Sequence, residues 1–173
     1  MSQPRRRVIV LDTSAFLAGY DPFASKDEQV TVPKVEEEIL RNSMIKMRFQ
    51  TAVESGIVKI KAPSQDYALG AAVRVGDSFK LSETDMQLLS LAVELKEQGS
   101  APQIRTDDYS IQNVAKELGI ESIALGTYGI KRLLEWVRYC PACFKQYPAD
   151  SKCKDCQVCG TELKRKPKRQ PKA

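Results

Sequence analysis

The sequence contains no histidine. That absence excludes Ser-His-Asp and Cys-His nucleophilic machinery, histidine-based general acid–base catalysis and any zinc site that requires imidazole. Long apolar runs are missing too: no stretch approaches the ~20 residues of a membrane span. Arg5-Arg6-Arg7 ahead of Val8–Leu11 imitates the start of a signal peptide, but Asp12 ends the apolar run too early for one. A cytoplasmic protein is expected. Excess positive charge is absent from residues 1–139, where eighteen Lys/Arg face nineteen Asp/Glu. Chemistry has to come from carboxylates, thiolates, lysines or bound metal.

What is present falls into two parts. The 173 residues suffice for one domain with a sizeable core and a small second module. Residues 140–173 carry nine Lys/Arg and three Asp/Glu, so the positive excess of a chain with net charge +5 belongs to its C-terminal segment. Such a segment suits contact with nucleic acid, although solvated basic tails are common.

Val8-Ile9-Val10-Leu11 reads as a short strand buried on both faces, ending on Asp12 and the hydroxyls of Thr13 and Ser14. Ligands of open α/β sheets sit at the carboxyl edge of the strands, so an acid delivered there is placed to act. Asp12 also suits the N-cap of a helix from about Thr13 to Ala18. Gln29–Val32 looks like a second strand. Pro33 then opens a helix whose apolar stripe, Val35, Ile39, Leu40, Ile45, Phe49 and Val53, runs to Gly56. Within it lies Glu36-Glu37-Glu38, of which Glu38 flanks the stripe. Ile57–Lys61 reads as an edge strand blunted by lysines. A helix over Asp66–Val75 follows. A longer one runs to Gly99, with Ser82 as N-cap and Asp85, three residues on, as a capping-box acid. Gln103–Thr106 is another strand tipped by acids, Asp107-Asp108, before a helix that Gly119 ends; Ile120–Leu125 is the last strand. The alternation argues for a parallel sheet with helices on both faces.

Asp12, Glu38, Asp85 and the Asp107/Asp108 pair thus sit at strand tips or helix starts. Each alone is more often a cap or a surface charge. Gathered at one sheet edge, they would repel one another unless cations compensate. Hard divalent ions such as Mg²⁺ or Mn²⁺ prefer oxygen ligands and work with phosphates. Val8-Ile9-Val10-Leu11-Asp12-Thr13-Ser14, Pro33-Lys34-Val35-Glu36-Glu37-Glu38-Ile39, Leu81-Ser82-Glu83-Thr84-Asp85 and Thr106-Asp107-Asp108-Tyr109-Ser110-Ile111 together resemble the PIN family of metal-dependent ribonucleases. The resemblance spans roughly residues 8–125. It implies a flavodoxin-like parallel α/β/α fold with an acidic pocket for one or two Mg²⁺ or Mn²⁺. By position it assigns catalytic roles to Asp12, Glu38, Asp85 and one of Asp107 and Asp108, with Asp108 favoured by its distance from Thr106. Asp12, Asp85 and Asp108 would hold the metal, and Ser14 would orient Asp12.

All five cysteines lie within residues 140–159. Cys140-Pro-Ala-Cys143, twelve further residues and Cys156-Gln-Val-Cys159-Gly160 form two thiolate knuckles with the spacing of a tetrahedral structural Zn²⁺. Cys153 offers a rival knuckle with Cys156; Gly160, which permits the tight turn after a knuckle, favours Cys159. An iron–sulfur cluster is the weaker alternative. A segment this short cannot build its own core, so metal would supply its folding energy. Phe144, Lys145, Tyr147, Lys164, Arg165 and Lys166 are the candidate RNA contacts.

The expected organisation is a PIN domain over residues 1–126, a connector over 127–139 whose Leu133, Leu134 and Trp136 dock on it, a zinc ribbon over 140–163 and a basic tail over 164–173. Without RNA the tail is expected to be disordered. This combination is similar to the archaeal Nob-type endonucleases, and Asp107-Asp108-Tyr109-Ser110-Ile111-Gln112-Asn113-Val114-Ala115 adds to the similarity. The resemblance implies an endoribonuclease that matures the 3′ end of small-subunit ribosomal RNA within a pre-ribosomal particle, alongside assembly factors. One alternative is a non-catalytic RNA-binding assembly factor, against which the full acid set argues. The other is a toxin-type PIN ribonuclease, which the cysteine module disfavours.

Overall fold

The structure is a computed structural model and describes residues 5–41, 43–126, 129 and 133–168. Its centre is β1 (Arg7–Leu11). Val8, Ile9, Val10 and Leu11 are each no more than 1% exposed. Successive side chains of a strand point to opposite faces, so both faces of β1 are covered. Around it lie β2 (Glu28–Thr31), β3 (Val58–Ile60), β4 (Ala101–Arg105) and β5 (Glu121–Ile123), all parallel, in the order β3-β2-β1-β4-β5. The chain runs outward from β1 to β3, then returns to the other side of β1 as β4. This reversal makes the β1/β4 boundary the switch point of the sheet. Leu11 pairs with Arg105, and the Asp12 N–H donates to the Arg105 carbonyl (3.2 Å), so Asp12 emerges beside Thr106.

The helices are α1 (Thr13–Leu17), α2 (Pro33–Leu40), α3 (Ser43–Glu54), α4 (Leu69–Val75), α5 (Glu83–Glu97) and α6 (Tyr109–Glu117). The single helix expected from Pro33 to Gly56 is thus two. The Arg41 N–H turns back onto the carbonyls of Glu38 and Ile39 and closes α2. The break lets α2 bury Val35 and Ile39 while α3 independently buries Phe49 and Ala52, with Phe49 edge-on to Phe16 at 5.2 Å. It also leaves Glu38 in the last turn of α2.

The C-terminal module is a three-stranded antiparallel sheet in the order β7-β6-β8, formed by β6 (Trp136–Tyr139), β7 (Gln146–Tyr147) and β8 (Lys164–Pro167). Two expectations give way here. Trp136–Tyr139, assigned to the connector, is the central strand. Lys164–Pro167, assigned to a disordered tail, is an edge strand paired along its whole length with β6, from Trp136↔Pro167 to Tyr139↔Lys164. The basic residues are ordered by aromatic faces: the Arg165 guanidinium lies 4.1 Å from the Trp136 ring centre and the Lys166 ammonium 4.4 Å from that of Tyr139. Residues 127, 128, 130–132 and 169–173 of the expected connector and tail lie outside the described residues.

The module docks through a buried polar knot. Asp77, only 2% exposed, receives the Arg165 guanidinium and the Asn113 amide, the latter at 2.6 Å. Asn113 also bonds both ways with the Leu134 backbone, at 2.7 Å each. Leu133 packs on the main core, as expected, whereas Leu134 docks through its backbone and leaves its side chain exposed. Gly76 permits the approach: a Cβ there would stand 2.5 Å from Ala149 Cβ, and its φ of +76° is left-handed.

Candidate active site

Asp12 ends β1 as the N-cap of α1. Its Oδ1 accepts from the Thr13 N–H (2.7 Å), and its Oδ2 accepts from both the Ser14 hydroxyl (2.6 Å) and the Thr106 hydroxyl (2.7 Å). Ser14 Oγ in turn accepts from the Asp107 N–H and Thr106 Oγ1 from the Asp108 N–H, each at 3.0 Å. Two hydroxyls therefore bind the tips of β1 and β4 into one unit around a single carboxylate. Burial pushes the Asp12 carboxyl above its usual range; the three donors oppose that shift, and the Glu38 charge adds to it.

Glu38 is fixed from two sides. Its Oε2 accepts from Thr13 Oγ1 and its Oε1 from Thr84 Oγ1, both at 2.6 Å. Asp85 forms the expected capping box: Ser82 Oγ accepts from the Asp85 N–H (3.2 Å), and Asp85 Oδ2 accepts from the Ser82 N–H (2.7 Å). Burial also raises the Asp85 carboxyl; the Ser82 bonds counter this, while the charges of Asp108 and Asp12 reinforce it. Asp108 caps α6, its Oδ1 accepting from Ser110 N (2.5 Å) and Ile111 N (3.3 Å).

Asp12, Glu38, Asp85 and Asp108 thus form one electrostatically linked group at the switch point. Asp107 is turned elsewhere: its carboxylate accepts from the Leu125 N–H (2.8 Å) and the Gly126 N–H (3.0 Å) and ties down the chain after β5. Among the described residues no lysine or arginine forms an ion pair with any of the four. Oxygen is the only donor these acids offer, the kind a hard divalent cation prefers, and their mutual repulsion is what such a cation would relieve. Among the described residues only the cysteine group of the C-terminal module brings three or more ligand atoms together within reach of one ion. Thr106, Thr84 and Thr13 escaped assignment as site residues from the sequence. The only local signal was a hydroxyl within two residues of an acid, and such neighbours are too common to single out.

In the C-terminal module, the sulfurs of Cys140, Cys143, Cys156 and Cys159 all lie within 4.8 Å of one another. A tetrahedral site with Zn–S of about 2.3 Å has sulfurs about 3.8 Å apart, so the donor set fits a metal of that kind. Cys153 stands outside the group and accepts from the Gln157 side-chain amide (3.3 Å). The Tyr147 hydroxyl accepts from the Gln157 N–H and donates to Cys156 Sγ (3.1 Å), which holds the Cys156 thiol down at about 6. Tyr147 is therefore part of the small core with Cys140, Cys156 and Leu163, and Arg165 is committed to docking. Of the expected RNA contacts, Phe144, Lys145 and Lys164 are exposed and Lys166 is half-buried over Tyr139.

Residues 9–95 match the family model described as the PIN domain of ribonuclease. The endoribonuclease Nob1 of Methanothermobacter thermautotrophicus is 39% identical over 160 residues, spanning 91% of this chain and 91% of its own. The chain belongs to the Nob1 family of endoribonucleases. The Nob1 of Pyrococcus abyssi is 35% identical over 168 residues, covering 94% of this chain and 95% of that one. That of Methanocaldococcus jannaschii is 36% identical over 163 residues, covering 92% and 78%. At such coverage the likeness extends past the PIN domain into the cysteine module. Membership of the Nob1 family makes the chain an endoribonuclease, and a dependence on divalent metal is typical of its PIN domain.

Proposed function

We propose that this endoribonuclease cuts precursor small-subunit ribosomal RNA near its mature 3′ end, in the cytoplasm, within a pre-ribosomal particle. The observation that supports the nuclease reading is the electrostatic linkage of Asp12, Glu38, Asp85 and Asp108 at the carboxyl edge of β1 and β4; none of the four forms an ion pair with a lysine or arginine among the described residues. Asp12, Asp85 and Asp108 are the residues that would hold Mg²⁺ or Mn²⁺. When bound, such an ion supplies Lewis-acid stabilisation of charge on the phosphate and eases ionisation of water.

The remaining work falls to the chain. Ser14 and Thr106 hold Asp12 in one rotamer, so its orientation needs no rearrangement during reaction. Thr13 and Thr84 do the same for Glu38, which is exposed to solvent and is the group placed to accept a proton from the attacking water. The uncompensated carboxylates repel RNA phosphate, so binding strength has to come from elsewhere, and the C-terminal module carries the positive charge for it. That module docks on Asp77, five residues before Ser82, and on Asn113, five residues after Asp108. The RNA-binding part thereby rests on the same segments that deliver Asp85 and Asp108. The four thiols hold a structural Zn²⁺ in this reading, and Phe144, Lys145, Lys164 and Lys166 contact RNA.

The test is incubation of the protein with an RNA spanning the mature 3′ end, in Mn²⁺ and in Mg²⁺, followed by mapping of the cuts. Cleavage at or beside the junction is expected. Cleavage scattered through single-stranded regions would remove the junction assignment and leave the nuclease. No cleavage with either ion would remove the metal-dependent nuclease.

A further inference from the structure

We propose that Gln112 and Asn113, adjacent buried amides of α6, are positioning residues for cleavage, and that through them docking of the C-terminal module sets the affinity of the acidic site for its divalent metal. This rests on the metal-dependent reading above and deepens it.

Both side chains are almost fully covered, 1% and 2% exposed, although amides usually stand in solvent. Neighbours on a helix point about 100° apart, so the two reach different partners. The Gln112 side-chain amide donates to the Thr106 carbonyl at 2.9 Å, and the Gln112 backbone N–H donates to the Asp108 carbonyl at 3.0 Å. Gln112 thereby clamps the start of α6 to the tip of β4. Thr106 is the residue whose hydroxyl donates to Asp12 and accepts from the Asp108 N–H. The Asn113 amide donates to Asp77 and to the Leu134 carbonyl, and its oxygen accepts from the Leu134 N–H. Asp77 also receives Arg165 of β8. The Asp77 carbonyl accepts from the Lys80 N–H (2.8 Å) and the Leu81 N–H (3.3 Å). That turn leads straight into Ser82, whose capping box holds Asp85.

Asn113 is therefore where three segments meet: the docked module, the turn that delivers Asp85 and the helix that Asp108 begins. The acids do not stand within reach of one ion as a group. Taking up a cation has to draw Asp85 and Asp108 closer against their repulsion. A docked module holds both segments and lessens the ordering left for the ion to impose. Apolar side chains could fill the same space without the cost of burying amides, so packing alone does not call for them. What satisfied amides add is fixed direction between the segments they join.

The experiment uses zinc-loaded full-length protein: wild type, Gln112→Met, Asn113→Leu, Arg165→Met/Asp77→Asn and the control Val114→Ala, which removes buried apolar volume from α6 and no hydrogen bond. Arg165→Met/Asp77→Asn leaves no buried charge unpaired, so it tests docking even if Asn113→Leu fails to fold. Mn²⁺ binding without RNA is read by electron paramagnetic resonance, with Asp12→Asn identifying the Mn²⁺ held by the acids. Cleavage is followed against Mn²⁺ and against RNA. The two amide variants are expected to bind that Mn²⁺ about 10–100-fold more weakly, the usual cost of losing a partner that orients a metal ligand. In them, excess Mn²⁺ should restore kcat, with KM for RNA unchanged. The docking variant is expected to bind Mn²⁺ at least about threefold more weakly. Val114→Ala should lower the unfolding midpoint and leave Mn²⁺ affinity at the wild-type value. Wild-type Mn²⁺ affinity in the amide variants would overturn the proposal, as would wild-type affinity in the docking variant or an equal loss in Val114→Ala. Mn²⁺ uptake that Asp12→Asn leaves intact would instead remove the metal-site reading itself, and this inference with it.

Discussion

Arg165 and Asp77, 88 residues apart in sequence, form an ion pair in which the carboxylate is buried and the guanidinium is three-quarters covered. The pair fixes the C-terminal sheet on the nuclease domain. Its partners are Asn113, which takes the other oxygen of Asp77, and Trp136, whose ring lies against the guanidinium.

Breaking that pair from one side leaves a buried charge unpaired, which is costlier than removing both members. Arg165→Met is expected to destabilise the protein by about 3 kcal/mol. Adding Asp77→Asn should recover part of the loss. Denaturant unfolding of the two single variants and the double decides this. Equal midpoints for wild type and Arg165→Met would mean that the module is held by other contacts.

Thr106→Val keeps the shape of the side chain and removes the hydroxyl that binds Asp12 Oδ2 and the Asp108 N–H. Cleavage is expected to fall by about 10–100-fold, the usual cost of losing a partner that orients a metal ligand. RNA affinity should stay near wild type. A variant that cuts normally would show that Asp12 is oriented without Thr106.

Cys140, Cys143, Cys156 and Cys159 should retain about one zinc per chain between them. Serine at any of the four should lower zinc content, whereas Cys153→Ser should keep it, since Cys153 stands outside the group. Metal analysis of the five variants reads this directly. Loss of zinc from the Cys153 variant with retention in the Cys159 variant would move the second knuckle to Cys153/Cys156.

Phe144 and Gly160 occupy equivalent places, each following the second cysteine of its knuckle, with φ of +61° and +73°. That conformation costs a residue with a Cβ roughly 1–2 kcal/mol, and the Phe144 ring is 71% exposed, so little packing repays it. Phe144→Gly is expected to raise stability by about 1 kcal/mol and to weaken RNA binding through loss of a stacking ring. Unfolding and binding measurements on the one variant test both signs. Unchanged RNA affinity would assign Phe144 no part in recognition.

The features legible in the sequence are those set by neighbours along the chain. Strand β1 follows from four consecutive apolar residues, the Ser82/Asp85 capping box from a spacing of three, and the thiol group from its two knuckles. Features set across the fold were not legible. One apolar period runs through both α2 and α3, so the break at Arg41 leaves no gap in the stripe. Lys164-Arg165-Lys166 has the composition of a solvated tail and becomes a strand only because Trp136 and Tyr139 face it. Asp107 and Asp108 are equivalent until the Leu125 and Gly126 amides claim the first. Thr84 matters because Glu38, from a helix 46 positions earlier, reaches its hydroxyl.

The most direct measurement is cleavage of a ribosomal 3′-junction RNA by wild type and by Asp12→Asn in saturating Mn²⁺, with RNA affinity and unfolding midpoint measured alongside. Asn keeps the shape of the side chain at the tip of β1 and removes its charge. Wild type is expected to cut, and Asp12→Asn to bind the RNA with nearly wild-type affinity, remain folded and leave it intact. Cleavage by Asp12→Asn at the wild-type rate would contradict the assignment of the metal-dependent site to this group of acids.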